Sequence, residues 1–171
     1  MFIFLNNFRK LLFFVVNILF LAGAILSAQT PAGAVKKPDS CSFLAKTEVQ
    51  SILGKPVKED SVGPSANGAA GATCEYLVGD DGLFSILVKA AGPAETADAF
   101  LAGLASSKIK TEAAPGFGDR SFYAFPGCGM LQLHAFKSGQ FVILTMMIPS
   151  QAEEKLKAPL GKLMQMVLAK I

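Results

Sequence analysis

One histidine and three cysteines carry most of the reactive chemistry these 171 residues could offer. A thiolate nucleophile needs a base beside it and a group that orients the base. Cys128 and His134 could supply the first two, and Asp119 or Glu75 the third. Cys128 sits in the turn-forming stretch Pro126-Gly127-Cys128-Gly129 and His134 in the β-rich run that follows. Six residues of extended chain can hold them as much as roughly 20 Å apart, so the pattern favours a turn cysteine and a strand histidine without shared chemistry. With one histidine, a His-based zinc site is poorly supplied. Asp80-Asp81 with Asp119 or Glu75 could approach calcium, but the spaced oxygen ligands of a dedicated loop are missing. Gly116-Phe117-Gly118-Asp119 would cradle phosphate only between a strand and a helix, and a strand follows it instead. No catalytic set, cofactor or metal is expected, and the residues expected to face a ligand are Cys128, His134, Tyr123 and Asp119.

The N-terminus reads as a targeting segment. Arg9-Lys10 precedes an apolar run from Leu11 to Leu26, broken only by Asn17, and small residues follow. A signal peptide over residues 1–28 is expected, with cleavage after Ala28 or after Ala34. The apolar run is short for a membrane span of roughly 20 residues, which leaves an uncleaved anchor as the alternative. Either way the folded part is expected outside the cytoplasm, periplasmic or secreted. In an oxidising compartment cysteines within reach bridge, and Cys41 with Cys74 is the favoured pair; pairing of Cys128 with either stays open.

Charge narrows the partners. The chain has 16 basic and 13 acidic residues, and without Arg9 and Lys10 of the leader the balance is 14 against 13. Such a chain, with no basic cluster, offers no footing for nucleic acid. The membrane is a partner only through an uncleaved leader. An unknown envelope protein or a small apolar ligand is the expected partner. Met130, Met146, Met147, Met164 and Met166 with Phe122, Phe125, Phe136 and Phe141 could line a pocket for the latter, although such residues at strand and helix periods are more often core.

The elements that must position these residues follow from periodicity. Residues 29–40 are Pro, Ala, Gly and Lys without period and read as a linker; 41–171 reads as one α+β domain. Thr47 with Gln50 has capping-box spacing ahead of a short helix closed by Gly54. Residues 55–62 suggest an edge strand and 63–71 a mobile loop. Thr73–Val78 and Leu83–Ala91 form a hairpin about the Asp81-Gly82 pair, with Phe84, Ile86, Val88 and Ala90 on one face. Pro93 suggests the start of a helix to about Ser107, with Ala97, Phe100, Leu101 and Leu104 as its stripe. Arg120–Phe125 is a strand. Met130–Ile148 is a second hairpin turning at Lys137-Ser138-Gly139-Gln140, and its second run is apolar on both faces, as in a central strand covered on both sides. Ser150 with Glu153 suggests the start of a last helix carrying Leu156, Leu160, Leu163, Val167 and Ile171, which Pro159 should kink or split. Two strand-strand-helix halves imply an α+β fold, an antiparallel sheet with helices packed on it.

Three stretches in order carry a resemblance: Cys41-Ser-Phe-Leu-Ala-Lys-Thr-Glu-Val-Gln-Ser-Ile-Leu-Gly-Lys-Pro-Val57, Thr73-Cys-Glu-Tyr76, and Gly116-Phe-Gly-Asp-Arg-Ser-Phe-Tyr123. They resemble a widespread group of exported bacterial proteins, among them a family of actinobacterial lipoproteins known as a domain of unknown function. The chain departs from that pattern in having no lipobox cysteine and an odd cysteine count. The resemblance implies an exported α+β domain with no established activity. The function expected is a non-catalytic binding or accessory module of the bacterial cell envelope, with a thiol-dependent enzyme using Cys128, or a carrier of a small hydrophobic ligand, as the alternatives.

Overall fold

A computed structural model of the protein describes residues 40–64 and 72–171. The expected leader, nearly all of the linker and most of the Gly63–Gly71 loop lie outside the described residues. The Met130–Ile148 hairpin forms the middle of the sheet. Its strands β6 (Met130–Lys137) and β7 (Gln140–Met147) pair antiparallel about a two-residue turn, with Ser138 at φ 51° and Gly139 at φ 74°. Two left-handed residues in succession give the turn whose twist matches the strands it joins.

Five further strands complete the sheet: β1 (Val57–Pro64), β2 (Ala72–Val78), β3 (Gly82–Ala90), β4 (Lys110–Ala113) and β5 (Arg120–Gly127). The order across the described sheet is β1-β2-β3-β7-β6-β5-β4, every neighbouring pair antiparallel. β7 is therefore central and β1 and β4 are the edges. The β2–β3 turn takes its left-handed residue at Gly79, φ 64°, rather than at Gly82, which already belongs to β3.

Three helices pack on this sheet. The first, α1 (Lys46–Leu53), starts at Ala45 and not at Thr47, because the Glu48 carboxylate reaches back to accept from Ala45 N–H at 2.6 Å; Gly54 closes it at φ 63°. The second, α2 (Ala97–Ser106), starts after Thr96, whose hydroxyl accepts from Ala99 N–H at 3.1 Å, so Pro93 precedes the helix. The third, α3 (Glu153–Leu168), follows Ala152 and runs unbroken through Pro159.

The α1 and α3 side of the sheet holds the core. Val49 of α1 and Leu156, Leu160, Leu163 and Val167 of α3 are buried with Tyr76, Phe84, Ile86, Leu133, Leu144 and Met146. Alternation in β3 and β7 sends every second residue there, the period-2 geometry of a strand. The Tyr76 hydroxyl donates to Leu44 O at 2.6 Å, giving a deeply buried polar atom its partner. The Cys41–Cys74 disulfide ties the short 3₁₀ turn Ser40–Ser42 to β2. Beside it, Ser40 Oγ accepts from Val88 N–H at 3.1 Å, where β3 runs on past its pairing with β2.

Candidate functional site

The opposite side of the sheet carries a concave surface. There α2 lies over one end of β5, β6 and β7, with Phe100 packed on Phe141 (ring centroids 4.4 Å apart), Phe136 (5.9 Å) and His134 (6.2 Å). Between α2, β4, the start of β5 and the segment Ala114–Asp119 is a cleft of about 620 Å³. Leu101, Thr111, Ala113 and Phe122 line it from α2, β4 and β5, and Pro115, Gly116, Gly118 and Asp119 form its far wall.

That wall depends on glycine. Gly118 stands at φ 73°, and a Cβ there would lie 2.5 Å from Phe136 O, a distance no methyl can occupy. The close approach lets Asp119 N–H donate to the same carbonyl at 2.7 Å, while Asp119 Oδ2 accepts from Ser138 N–H at 3.1 Å. Asp119 thus lines the cleft as expected of a ligand-facing residue, but its carboxylate also fastens the wall to the β6–β7 turn. At the mouth Arg120 Nη2 reaches Asp98 Oδ1 of α2 at 3.1 Å, both side chains well exposed.

The other expected site residues are not gathered here. His134 lies behind Phe122, with the two rings stacked at 4.7 Å and 14°. It is 3% exposed. Gln132 links it to the open part of the sheet: the Gln132 amide donates to Thr145 Oγ1 at 3.3 Å, and its Oε1 lies 3.2 Å from His134 Nε2. That orientation makes Nε2 the protonated nitrogen and leaves Nδ1, which is buried and has no hydrogen-bond partner, as a bare acceptor. Burial pushes the imidazole pKa down to about 4, because nothing repays the desolvation of its charged form. His134 is therefore neutral at pH 7, a stacked core ring.

Cys128 is exposed in the β5–β6 turn, left-handed at φ 55° between Gly127 and Gly129. Met130 begins β6 and His134 lies four residues further along it, roughly 13 Å at strand rise. The structure does not join the thiol to the imidazole. Tyr123 points to the α3 side, beneath Lys157 Nζ at 5.4 Å, and burial raises its phenol pKa. It lines a separate groove there with Phe117, Gly161 and Gln165. Lys157 is held by Glu112 at 2.8 Å and Glu154 at 2.8 Å, and these hydrogen bonds raise its pKa. Glu75 lies on β2, facing Ser85 of β3 in the pairing register.

Sequence reasoning missed the cleft because it missed β4. Lys110-Thr111-Glu112-Ala113 has no apolar alternation, and in the structure Thr111 alone of the four is half-buried while the other three are exposed. The only signal was β-branched Thr111 ahead of the Pro115-Gly116 turn. No family model, curated protein or solved structure matches the chain. Among the described residues no group of His, Cys, Asp and Glu is arranged to hold a metal ion, and no helix is long and apolar enough to cross a membrane.

Proposed function

We propose that the protein is an exported, non-catalytic binding module of the bacterial cell envelope, and that the cleft between α2, β4 and the Ala114–Asp119 wall receives its ligand. The observation that carries this reading is how the cleft is made. Leu101 and Phe122 give it apolar surface, and its polar side chains already serve the protein itself. The Ser121 hydroxyl donates to Ala114 O, Asp119 holds the Ser138 amide, and Arg120 pairs with Asp98. A concave, largely preformed surface with a few polar groups at its rim is the usual form of a binding site. The Cys41–Cys74 disulfide supports export, since such bonds persist in oxidising compartments.

The test is a titration of the ¹⁵N-labelled protein with fractionated envelope extract, read residue by residue. Saturable shifts at Leu101, Thr111 and Phe122 that survive Cys128→Ser are expected. Shifts confined to the Cys128 turn and abolished by that substitution would favour the thiol enzyme instead.

A further inference from the structure

The sheet ends at β4, and the register of β4 fixes which of its main-chain groups face outward. Ala114 N–H donates to Ser121 O at 3.2 Å, which makes those two residues a hydrogen-bonded pair. Such pairs alternate along an antiparallel ladder, so Glu112 with Tyr123 and Lys110 with Phe125 also exchange bonds across it. Thr111 and Ala113 then turn their N–H and C=O groups away from β5, and both residues line the cleft on the α2 side. Lys110 and Glu112 alternate to the α3 side. There Lys110 Nζ lies 4.9 Å over the Phe125 ring, and Glu112 holds Lys157. Among the described residues no carboxylate lies within ion-pair distance of Lys110.

The two edges of the sheet are guarded differently. β1 carries a register shift between Glu59 and Ser61, the kind of bulge that blunts an edge against strand addition. β4 runs in uninterrupted register against β5, and its guards are the charges of Lys110 and Glu112. Those two charges have opposite signs and stand on either side of Thr111. They therefore fail as guards against one strand in particular, an antiparallel copy of β4.

Turned about a two-fold axis at Thr111, the segment Ile109-Lys110-Thr111-Glu112-Ala113 meets itself position by position. Thr111 stands opposite Thr111, and their outward N–H and C=O groups exchange bonds. Lys110 stands opposite Glu112 of the second copy, and Glu112 opposite its Lys110. These are non-hydrogen-bonded positions, where side chains come closest and opposite charges attract across strands. Each half of the contact then joins Lys110 of one copy to Glu112, Lys157 and Glu154 of the other, cations and carboxylates in equal number. On the α2 side Ala113 N–H is aimed at the carbonyl of Ile109 opposite it, whose own N–H already donates to Leu104 O at 2.9 Å. The neighbouring registers are worse. An axis at Glu112 sets Glu112 against Glu112, and an axis at Lys110 sets Lys110 against Lys110.

We propose that the outer edge of β4 pairs with the β4 edge of a second copy of this chain, in the register that places Thr111 opposite Thr111. The interface is isologous, as a closed two-fold dimer requires. It is small beside the roughly 1,600 Å² of a standard stable interface, so the dimer is weak and forms with concentration. Ile109 of the second copy stands beside Ala113 at the edge of the cleft, so each copy adds a residue to the border of the other's cleft. The pairing itself does not depend on what the cleft binds.

The test is a dilution series of the ¹⁵N-labelled protein with sedimentation velocity alongside. With rising concentration the Thr111 and Ala113 amides are expected to shift and to exchange more slowly, while the sedimenting mass moves toward two chains. Lys110→Glu and Glu112→Lys each set like charges opposite one another and should each weaken association about tenfold. An equal mixture of the two variants should recover it, because every cross-strand pair between them is again Glu with Lys. Thr111→Pro, which removes an outward N–H and leaves the ladder to β5 intact, should abolish pairing. The mixing experiment holds as a test even where the proline variant is unstable. A chain that stays monomeric throughout the series would overturn the proposal, as would association indifferent to the charge reversals or not recovered by mixing. So would protection of Thr111 and Ala113 that follows added envelope extract at fixed protein concentration and not concentration itself, the signature of a different partner. Extract shifts at Leu101 and Phe122 in a charge-reversed monomer report on the cleft separately.

Discussion

The two faces of the sheet are covered to different extents. On the α3 side, Leu133, Leu144, Phe84 and Ile86 have no exposed surface. On the α2 side, the register lines up Leu77, Leu83, Met147 and Met130 across four neighbouring strands, and all four keep solvent contact, Leu77 at 38%. Length explains the contrast. α3 has 16 residues and spans about 24 Å, close to the roughly 27 Å of an eight-residue strand, whereas the ten residues of α2 span about 15 Å. A short helix covers one end of a face, and the cleft lies at its margin. The tightly packed core and the cleft thus lie on opposite sides of one sheet.

The largest expected effect breaks the covered side. Leu163→Ala, at a site with no exposed surface, should cost about 2–5 kcal/mol in urea unfolding, because it loses transfer energy and leaves a cavity. Leu83→Ala, on the open row, should cost less than about 1 kcal/mol. Equal losses would mean that the open row is packed as tightly as the core. Next comes the bridge. In the chain-entropy picture, opening the loop closed by Cys41 and Cys74, 33 residues apart, should cost roughly 3–4 kcal/mol, measured as urea midpoints with and without reductant.

Acid should strike the α2 side first. The folded-state pKa of His134 is lowered from 6.5 to about 4, so between those values the unfolded chain binds more protons and stability falls as pH falls. The full loss is about 3 kcal/mol, complete near pH 4, and it is absent above pH 6.5. His134→Phe should flatten this slope, as read by urea midpoints across that window. A slope that persists in the variant would assign the acid sensitivity to carboxylates instead.

How far the sequence reveals this molecule follows from how far each part has a period. The β6–β7 hairpin, the buried face of β3 and the α3 stripe are legible because burial on one side writes period 2 or 3.6 into the residue types. The favoured Cys41–Cys74 pairing matches the observed bridge. The helix starts are less legible: Glu48 and Thr96 supply the N-terminal hydrogen bonds that Thr47 and Pro93 suggested at other positions, since a cap depends on one or two local bonds. α3 keeps its continuity through Pro159, with Leu156 and Leu160 buried on either side of it. The apolar character of β7 on both faces predicts cover on both sides, yet Ile143 and Met147 remain half-exposed. Hydrophobicity reports that a face avoids water and cannot report how long the covering helix is. The cleft was unreadable because β4 is solvated on most of its surface, and His134 and Cys128, close in sequence, are parted by half a strand.

The smallest expected effect asks what holds α2 in place. Its contacts with the sheet include the Phe100 cluster at one point and the Arg120–Asp98 pair at another, and the pair is 61% and 83% exposed at its side chains. An exposed ion pair in high dielectric is worth about 0–0.5 kcal/mol after the entropy of fixing two long side chains. Phe100 meets three aromatic rings, and its loss should cost several times more. Arg120→Ala should therefore leave the urea midpoint nearly unchanged and insensitive to salt, while Phe100→Ala lowers it and speeds amide exchange across α2. A loss above about 1 kcal/mol for Arg120→Ala that vanishes in high salt would instead make the ion pair at the cleft mouth the clamp on this helix, and ligand entry would then depend on ionic strength.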